Sequence, residues 1–422
     1  MENILHIGGV SAAELAAAFG TPLLVYDEEM LRKRLREYRE CMTNKKFSTR
    51  VAYAGKTFLC KAMAKLVREE GASLDVVSGG ELHCALAAGF PAKDIVFHGN
   101  NKTPDELRAA LEAGVGTIVV DNLPECEALA ALTRQTGTQT DVLLRVNPGV
   151  EAHTHKYIIT AHPDSKFGVS VTRRDELYAV LETMRASGTL HFRGFHAHIG
   201  SQIFDKAAFA AEIEALAALA QETQQRGWPA EVFDLGGGFA ARYTDEDAPI
   251  PVPEVCKTIL ETCARETEER HLALREVWIE PGRSVAGEAG TTLYTAGWQK
   301  TTDHRQYVFV DGGMADNIRP ALYEAQYSCD AATRMNEAKT QTYTVAGKCC
   351  ESGDILIESA LLPPLETGDL LAVYTTGAYC YSMASNYNHL GRPAVVFARG
   401  GTARCVLRRE TPQDLLYLET EE

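Results

Sequence analysis

Lys56 closes the apolar run Tyr53-Ala54-Gly55. An ammonium at the end of a buried strand is partly desolvated, which lowers its pKa and frees the amine to attack a carbonyl. A lysine snorkelling to the surface would carry the same local signature. Asp75 lies in the next apolar run, ahead of Ser78-Gly79-Gly80-Glu81, and Arg145 ends a later one. Then come His196-Ala197-His198 with Gly200-Ser201, Asp234 running into Gly236-Gly237-Gly238, and Glu280-Pro281-Gly282-Arg283. The glycine turns can bring backbone N–H groups up to an anion, and Gly282-Arg283 can serve the same anion; singly, each also reads as a flexible loop. Glu280 can hold a proton on a heterocyclic nitrogen or remain a solvated carboxylate. His198 can stack on a planar ligand or sit in the core. His196 and His198, at strand spacing, can also ligate zinc and activate water, and His153-x-His155 repeats that spacing. The zinc reading leaves Lys56 and the glycine clusters without a task.

Further along, Cys349-Cys350-Glu351-Ser352-Gly353-Asp354 sets thiols and carboxylates on a turn. Arg319-Pro320-Ala321-Leu322-Tyr323 offers a guanidinium, whose planar fork suits a carboxylate, and a phenol. Gly377-Ala378-Tyr379 offers a second phenol. A structural turn with buried cysteines is the plainer reading of 349–354.

The elements that must position these groups follow a beat that starts near residue 50. Strands are expected at Val51–Gly55, Leu74–Val77, Ile95–His98, Thr117–Val120, Val142–Val146, Gly194–His198, Val232–Leu235 and Val277–Ile279, with helical stretches between. One helix shows the local logic: Thr103 as N-cap, Pro104 at the first position, Glu106 closing a capping box and Gly114 as the left-handed stop. Another covers Phe209–Ala220. Strand–helix alternation requires parallel strands joined by crossovers. Eight such units over this length predict a closed (β/α)8 barrel, an α/β fold whose chemistry sits at the C-terminal strand ends. The polar residues above fall at those ends. An open doubly wound sheet is the alternative, but no Gly-x-Gly-x-x-Gly follows the first strand.

After about residue 285 the beat stops. Short runs at Tyr307–Val310, Tyr343–Val345, Ile355–Ile357, Leu370–Tyr374 and Ala394–Ala398 predict an antiparallel β-domain. Leu23–Tyr26 can add a strand to it. The expected division is 1–25 packing with the β-domain, 26–285 as the barrel and 286–422 as the β-domain.

The 422 residues are 45% hydrophobic and 23% charged, as in ordinary globular proteins. The net charge of −15 disfavours nucleic acid as a partner. No apolar stretch reaches a membrane span, and Met1-Glu2-Asn3 lacks a signal-peptide profile. The expectation is a cytoplasmic protein. Eleven cysteines, an odd count with no Cys-x-x-Cys, argue against a disulfide framework and structural zinc.

In order along the chain, Tyr53-Ala54-Gly55-Lys56, Ser73-Leu74-Asp75-Val76-Val77-Ser78-Gly79-Gly80-Glu81-Leu82, Arg145-Val146-Asn147-Pro148-Gly149, Ser165-Lys166-Phe167-Gly168, His198-Ile199-Gly200-Ser201-Gln202, Gly236-Gly237-Gly238, Glu280-Pro281-Gly282-Arg283-Ser284, Arg319-Pro320-Ala321-Leu322-Tyr323 and Cys350-Glu351-Ser352-Gly353-Asp354 resemble the fold-type III decarboxylases that use pyridoxal 5′-phosphate, and within them the branch acting on diaminopimelate. The resemblance runs from Thr21-Pro22 to about Ala398. It implies that Lys56 holds the cofactor as a Schiff base, with Asp75 beside it, and that His198 stacks on the pyridine ring. Ser201, Gly236, Gly237, Gly238, Gly282 and Arg283 would surround the phosphate, Arg283 also reaching the substrate. Glu280 would pair with the pyridinium nitrogen. Arg319, Tyr323 and Glu351 would read the far end of the substrate, Tyr379 would touch cofactor and substrate, and Cys350 would deliver a proton. Cys350 and Glu351 would come from a neighbouring subunit, implying a homodimer with shared sites.

Loss of CO2 leaves a carbanion at Cα, for which the cofactor is an electron sink. A thiol with a pKa near 8.5 is a workable acid for its reprotonation. Diaminopimelate has an amino-acid head at its far end: Arg319 with Arg283 suits the carboxylate, and Glu351 suits the amine. The expected reaction is therefore meso-2,6-diaminopimelate to L-lysine and CO2. Relatives acting on ornithine typically have Cys-Asp where this chain has Cys350-Glu351. Cys380, where the family commonly has a smaller residue, and Cys349 beside Cys350 are the departures. An alanine racemase-like enzyme would place a tyrosine where Cys350-Glu351 stands, and a cofactor carrier would lack the β-domain. A decarboxylase of ornithine or lysine remains the nearest alternative.

Overall fold

The computed structural model describes residues 3–150 and 165–420. His153 and His155 lie outside the described residues. By contact the chain divides into two compact units: Arg34–Ala240 with Pro249–Ser284, and Met1–Lys33 with Ala241–Ala248 and Val285–Glu422.

In the first unit eight parallel strands are β1 (Ser48–Ala54), β2 (Ser73–Val76), β3 (Ile95–Phe97), β4 (Thr117–Val120), β5 (Thr140–Asn147), β6 (Leu190–His196), β7 (Val232–Asp234) and β8 (Glu276–Ile279). Each pairs with the next. β8 returns to β1 in register Glu276↔Ser48 to Ile279↔Val51, which closes the barrel. The strands form where expected because apolar runs buried on both faces are each punctuated by a turn. Val96, Val119, Leu143, Val232 and Trp278 pack together as one buried cluster, and the Arg50 guanidinium lies 4.0 Å from the Trp278 ring centroid.

The helices carry the expected local signals. Pro104–Ala113 starts at Thr103 with a reciprocal capping box to Glu106 and stops at Gly114 in the left-handed conformation. The helix expected at Phe209–Ala220 extends over Lys206–Gln225 and packs on the helix Val252–Arg270. No described helix is long and apolar enough to cross a membrane.

The second unit is built on Gly290–Thr301, which pairs antiparallel with Leu23–Asp27, Gln306–Val310 and Leu370–Val373. Leu23–Asp27 does join this sheet. Two pairings are parallel, Leu23–Asp27 with Ala394–Arg399 and Gln306–Val310 with Gln341–Ala346, so the domain is antiparallel only in the main. Gly290–Thr301, Cys329–Ala331 and Thr402–Leu407 are strands that the expected runs omit. The unit's first boundary falls after Lys33 rather than residue 25. Glu28 accounts for this: it binds Arg32 at 2.8 Å and Arg404 at 3.0 Å, fastening the start of its helix to the β-unit. All eleven cysteines are free, and six are buried.

Candidate active site

The barrel's C-terminal strand ends enclose a cavity of about 270 Å³ lined by Lys56, Asp75, His98, Arg145, Phe167, His196, His198 and Glu280, among others. A roomier cavity of about 640 Å³ lies in the β-unit beside Pro320, Glu324 and Tyr327, and contains none of these groups.

Lys56 sits on the short turn Gly55–Thr57 that follows β1. Contrary to the expected desolvation, it is exposed. It projects past the buried end of its strand into an open cavity, where protein atoms do not screen it from water. Asp75, on β2, is 2% exposed, and burial first, then Glu280, pushes its carboxyl up to about 6.

Glu280 follows β8 and receives an imidazole on each oxygen. His98 Nε2 lies 2.6 Å from Oε1, and His196 Nε2 lies 3.3 Å from Oε2. The first contact is short but poorly aligned, so Oε1 is a buried acceptor with no properly directed donor. Burial works against charge on Glu280, yet the two imidazoles outweigh it and hold the carboxyl well below its usual range. His196 goes down to about 3, chiefly by burial. Asp234, at the end of β7, is driven well above its usual range by burial and then by Glu280.

His198 has a different partner. Its Nδ1 accepts the Gly237 N–H at 3.2 Å, which leaves Nε2 to carry the proton of the neutral ring. Burial and then Lys56 keep the ring well below its usual pKa. His196 and His198 therefore turn to different partners, unlike the pair that the alternative zinc reading requires. His196 instead meets His98, Asp234 and Glu280, with one polar atom from each within 4.8 Å of the others. The aligned imidazole-to-carboxylate hydrogen bond within that group runs between His196 Nε2 and Glu280 Oε2 at 3.3 Å.

The glycine turn lies beside this group. Gly236 has φ +59°, and a side chain at Gly237 would come within 2.5 Å of the Glu280 carbonyl oxygen. At Gly282 it would come within 2.2 Å of Thr57 Oγ1. Arg283 donates through Nε at 3.1 Å and Nη2 at 3.0 Å to Ser201 Oγ, joining the end of β8 to the loop after β6. The barrel thus brings together Lys56, Asp75, His198, Ser201, the three glycines, Glu280, Gly282 and Arg283. His98 was not among the expected residues. The rule that selected the others would have found it, because it is the polar residue that directly follows the third strand, Ile95–Phe97.

The remaining expected residues belong to the β-unit. Arg319 opens the helix Arg319–Tyr323 and is buried, its Nη1 donating to Tyr327 Oη at 2.6 Å and Tyr243 Oη at 3.0 Å. Tyr323 and Tyr379 are half-buried. Cys350 and Glu351 are exposed. Cys349 is buried, and burial followed by Asp354 pushes its thiol up to about 11. Cys380 is buried against Asn317 and Tyr327.

A buried carboxylate with an unspent acceptor, an amine across the cavity and close-packed glycines beside an arginine fit a planar cationic heterocycle carrying a phosphate. The comparisons agree. Residues 28–287 match the family described as "Pyridoxal-dependent decarboxylase, pyridoxal binding domain". A Bacillus subtilis protein named diaminopimelate decarboxylase is 50% identical over 417 residues, covering 98% of this chain and 95% of its own length. The one from Mycobacterium tuberculosis is 44% identical over 430 aligned residues, covering 99% and 95%. Among solved structures, a diaminopimelate decarboxylase from M. jannaschii in complex with L-lysine superposes with a TM-score of 0.93 at 32% identity, covering 100% of this chain and 96% of that one. One from Helicobacter pylori, also with L-lysine, gives 0.88 at 29%, covering 96% and 98%. With a cofactor-shaped site in an eight-stranded barrel and relatives matched from end to end, the chain belongs to the pyridoxal-dependent decarboxylases.

Proposed function

We propose that this chain converts meso-2,6-diaminopimelate to L-lysine. The net change is loss of one carboxylate as CO2 and gain of one proton at the same carbon. The observation that carries this reading is 50% identity over 98% of the chain to a relative named for that substrate.

Pyridoxal 5′-phosphate, when bound, accepts into its ring the electron pair that the departing CO2 leaves at Cα. The chain's own groups do the rest. Lys56 anchors the cofactor covalently through its amine, with Asp75 beside it. Glu280 holds a proton at the ring nitrogen, which deepens the sink. His198, fixed by Gly237, covers the ring face. Gly236, Gly237, Gly238, Gly282, Ser201 and Arg283 surround the phosphate, where N–H groups and a guanidinium match its charge. Arg319, Tyr323 and Glu351 read the distal amino-acid head, with Arg283 and Tyr379 assisting. Cys350 returns the proton to Cα. Two copies assemble so that the partner subunit's Cys350 and Glu351 complete each site. A cytoplasmic location fits eleven free thiols.

The test is CO2 release from meso-diaminopimelate, lysine, ornithine and arginine. Turnover confined to meso-diaminopimelate supports the reading. Preference for ornithine or lysine favours the alternative represented by the structurally similar lysine/ornithine decarboxylase of Vibrio vulnificus.

A further inference from the structure

Asp75, Asp234 and Glu280 bring three carboxyl groups into one buried space, exposed by only 2%, 0% and 6%. Three negative charges cannot coexist there, since each disfavours the others and burial disfavours all three. The structure resolves the conflict unequally. Asp75 and Asp234 are pushed toward holding their protons, whereas Glu280 is pushed toward losing its own. The difference lies in the partners. Glu280 has an imidazole against each oxygen, at 2.6 Å and 3.3 Å. Asp75 meets His98 only at 3.7 Å, and Asp234 spends Oδ1 on the Gly236 N–H at 3.1 Å. The two imidazoles also pack edge to face with centroids 4.7 Å apart, so each limits the other's rotation.

We propose that His98 and His196 are positioning residues for the decarboxylation: as a pair, one imidazole per oxygen, they hold the Glu280 carboxylate where it would accept a hydrogen bond from the protonated ring nitrogen of pyridoxal 5′-phosphate and keep that proton in place. The proposal rests on the role given to Glu280 above. The charged and titratable groups facing Glu280 among the described residues are Asp75 from β2, His98 after β3, Arg145 from β5, His196 from β6, His198 after β6, Asp234 from β7 and Lys56 beyond β1. Of these, only His98 and His196 put a nitrogen on a Glu280 oxygen among the described contacts. A carboxylate has about four lone-pair sites, so two imidazoles still leave it an acceptor for the ring nitrogen. Without the imidazoles Glu280 becomes a third buried acid beside Asp75 and Asp234. It then keeps a proton of its own and cannot stabilise the one on the ring.

The experiment compares wild type with His98→Leu, His196→Leu and His98→Gln, the last keeping an amide donor near the position of Nε2. Cofactor-free protein is titrated with pyridoxal 5′-phosphate across a pH series, following the visible absorbance band, and kcat and KM for meso-diaminopimelate are measured separately. We expect the Leu variants to bind the cofactor roughly 10- to 100-fold more weakly, because a Glu280 that keeps its own proton no longer makes a charge-assisted bond to the ring nitrogen. Their cofactor band should titrate at lower pH than in wild type, kcat should fall, and KM should change little. His98→Gln should recover most of each effect. Wild-type affinity and titration in folded Leu variants overturn the proposal. So does equal loss in His98→Gln and His98→Leu, which marks a packing role. A wild-type protein with no visible band and no borohydride-trapped adduct at Lys56 instead overturns the functional reading itself, and the proposal with it.

Discussion

Arg319 and Tyr327 are joined by a 2.6 Å hydrogen bond from the guanidinium Nη1 to the phenol, inside a β-unit where both side chains are buried. Tyr243 accepts a second bond from the same nitrogen and presents its ring 5.0 Å from the guanidinium carbon. The aromatic seat fixes the direction of Arg319 before any ligand arrives. A reader of a distal carboxylate should depend on that seat. Tyr327→Phe removes one hydrogen bond to a charged group, about 1.5–3 kcal/mol. It is expected to raise KM for meso-diaminopimelate about tenfold or more, with cofactor affinity unchanged. Arg319→Ala should raise KM further. Steady-state kinetics beside a cofactor titration check this; equal losses of substrate and cofactor binding would remove Arg319 as the carboxylate reader.

The two adjacent thiols differ in kind. Burial and Asp354 push the Cys349 thiol up to about 11, and its backbone N–H donates to Asp354 Oδ2 at 2.8 Å. Cys350 is exposed. Cys350→Ala should therefore slow turnover roughly 10²- to 10⁴-fold, the range of a lost general acid, while the cofactor stays bound. Cys349→Ala should act mainly on stability. Greater loss of turnover in Cys349→Ala than in Cys350→Ala would assign the proton donor to Cys349 instead of Cys350.

Glu212 yields a pH prediction with a definite sign. It is fully buried on the helix Lys206–Gln225, and neither carboxyl oxygen has a hydrogen-bond partner among the described residues. Burial raises its pKa well above 4.5. The folded protein then keeps a proton that the unfolded chain releases, so raising the pH above about 4.5 favours unfolding, by up to about 1.4 kcal/mol per pH unit until the folded pKa is passed. Glu212→Leu removes that dependence. Its stabilisation in urea should be larger at pH 7.5 than at pH 5 by at least about 1 kcal/mol. A gain independent of pH would mean that Glu212 is ionised in the folded state.

The barrel was legible because its signals are local. Buried parallel strands are apolar runs, and caps such as Thr103 with Glu106 lie three residues apart. The strand-end rule found most of the site for the same reason. What it missed depends on contacts between residues far apart in the chain. His98 acquires its significance from Glu280, five strands later. His196 and His198 looked like one pair because alternate strand residues share a face. β6 ends at His196, however, and His198 turns to the Gly237 N–H. Lys56 looked buried because its neighbours are; the open cavity above it leaves no trace in those neighbours. Gly290–Thr301 was hidden by its glycines and hydroxyls, although its threonines and aromatics suit a strand.

Next to His98, the mouth of the barrel is braced by a buried charge pair. Lys102 Nζ lies 2.8 Å from Glu125 Oε1, with side chains 1% and 4% exposed. The ammonium also donates to the carbonyls of Gly99 at 2.8 Å and Val119 at 2.7 Å, so its three N–H donors are all engaged. It thereby ties the turn after β3, which lines the cavity, to β4. Removing one partner strands a buried charge, and Lys102→Met or Glu125→Leu should each cost about 3–5 kcal/mol in urea unfolding. The double variant strands none and should cost well under the sum of the two. Hydrogen exchange at Gly99 and Asn100 should rise in Lys102→Met, because the turn loses its anchor. Additive losses in the double variant would show that the two side chains are energetically independent despite their contact.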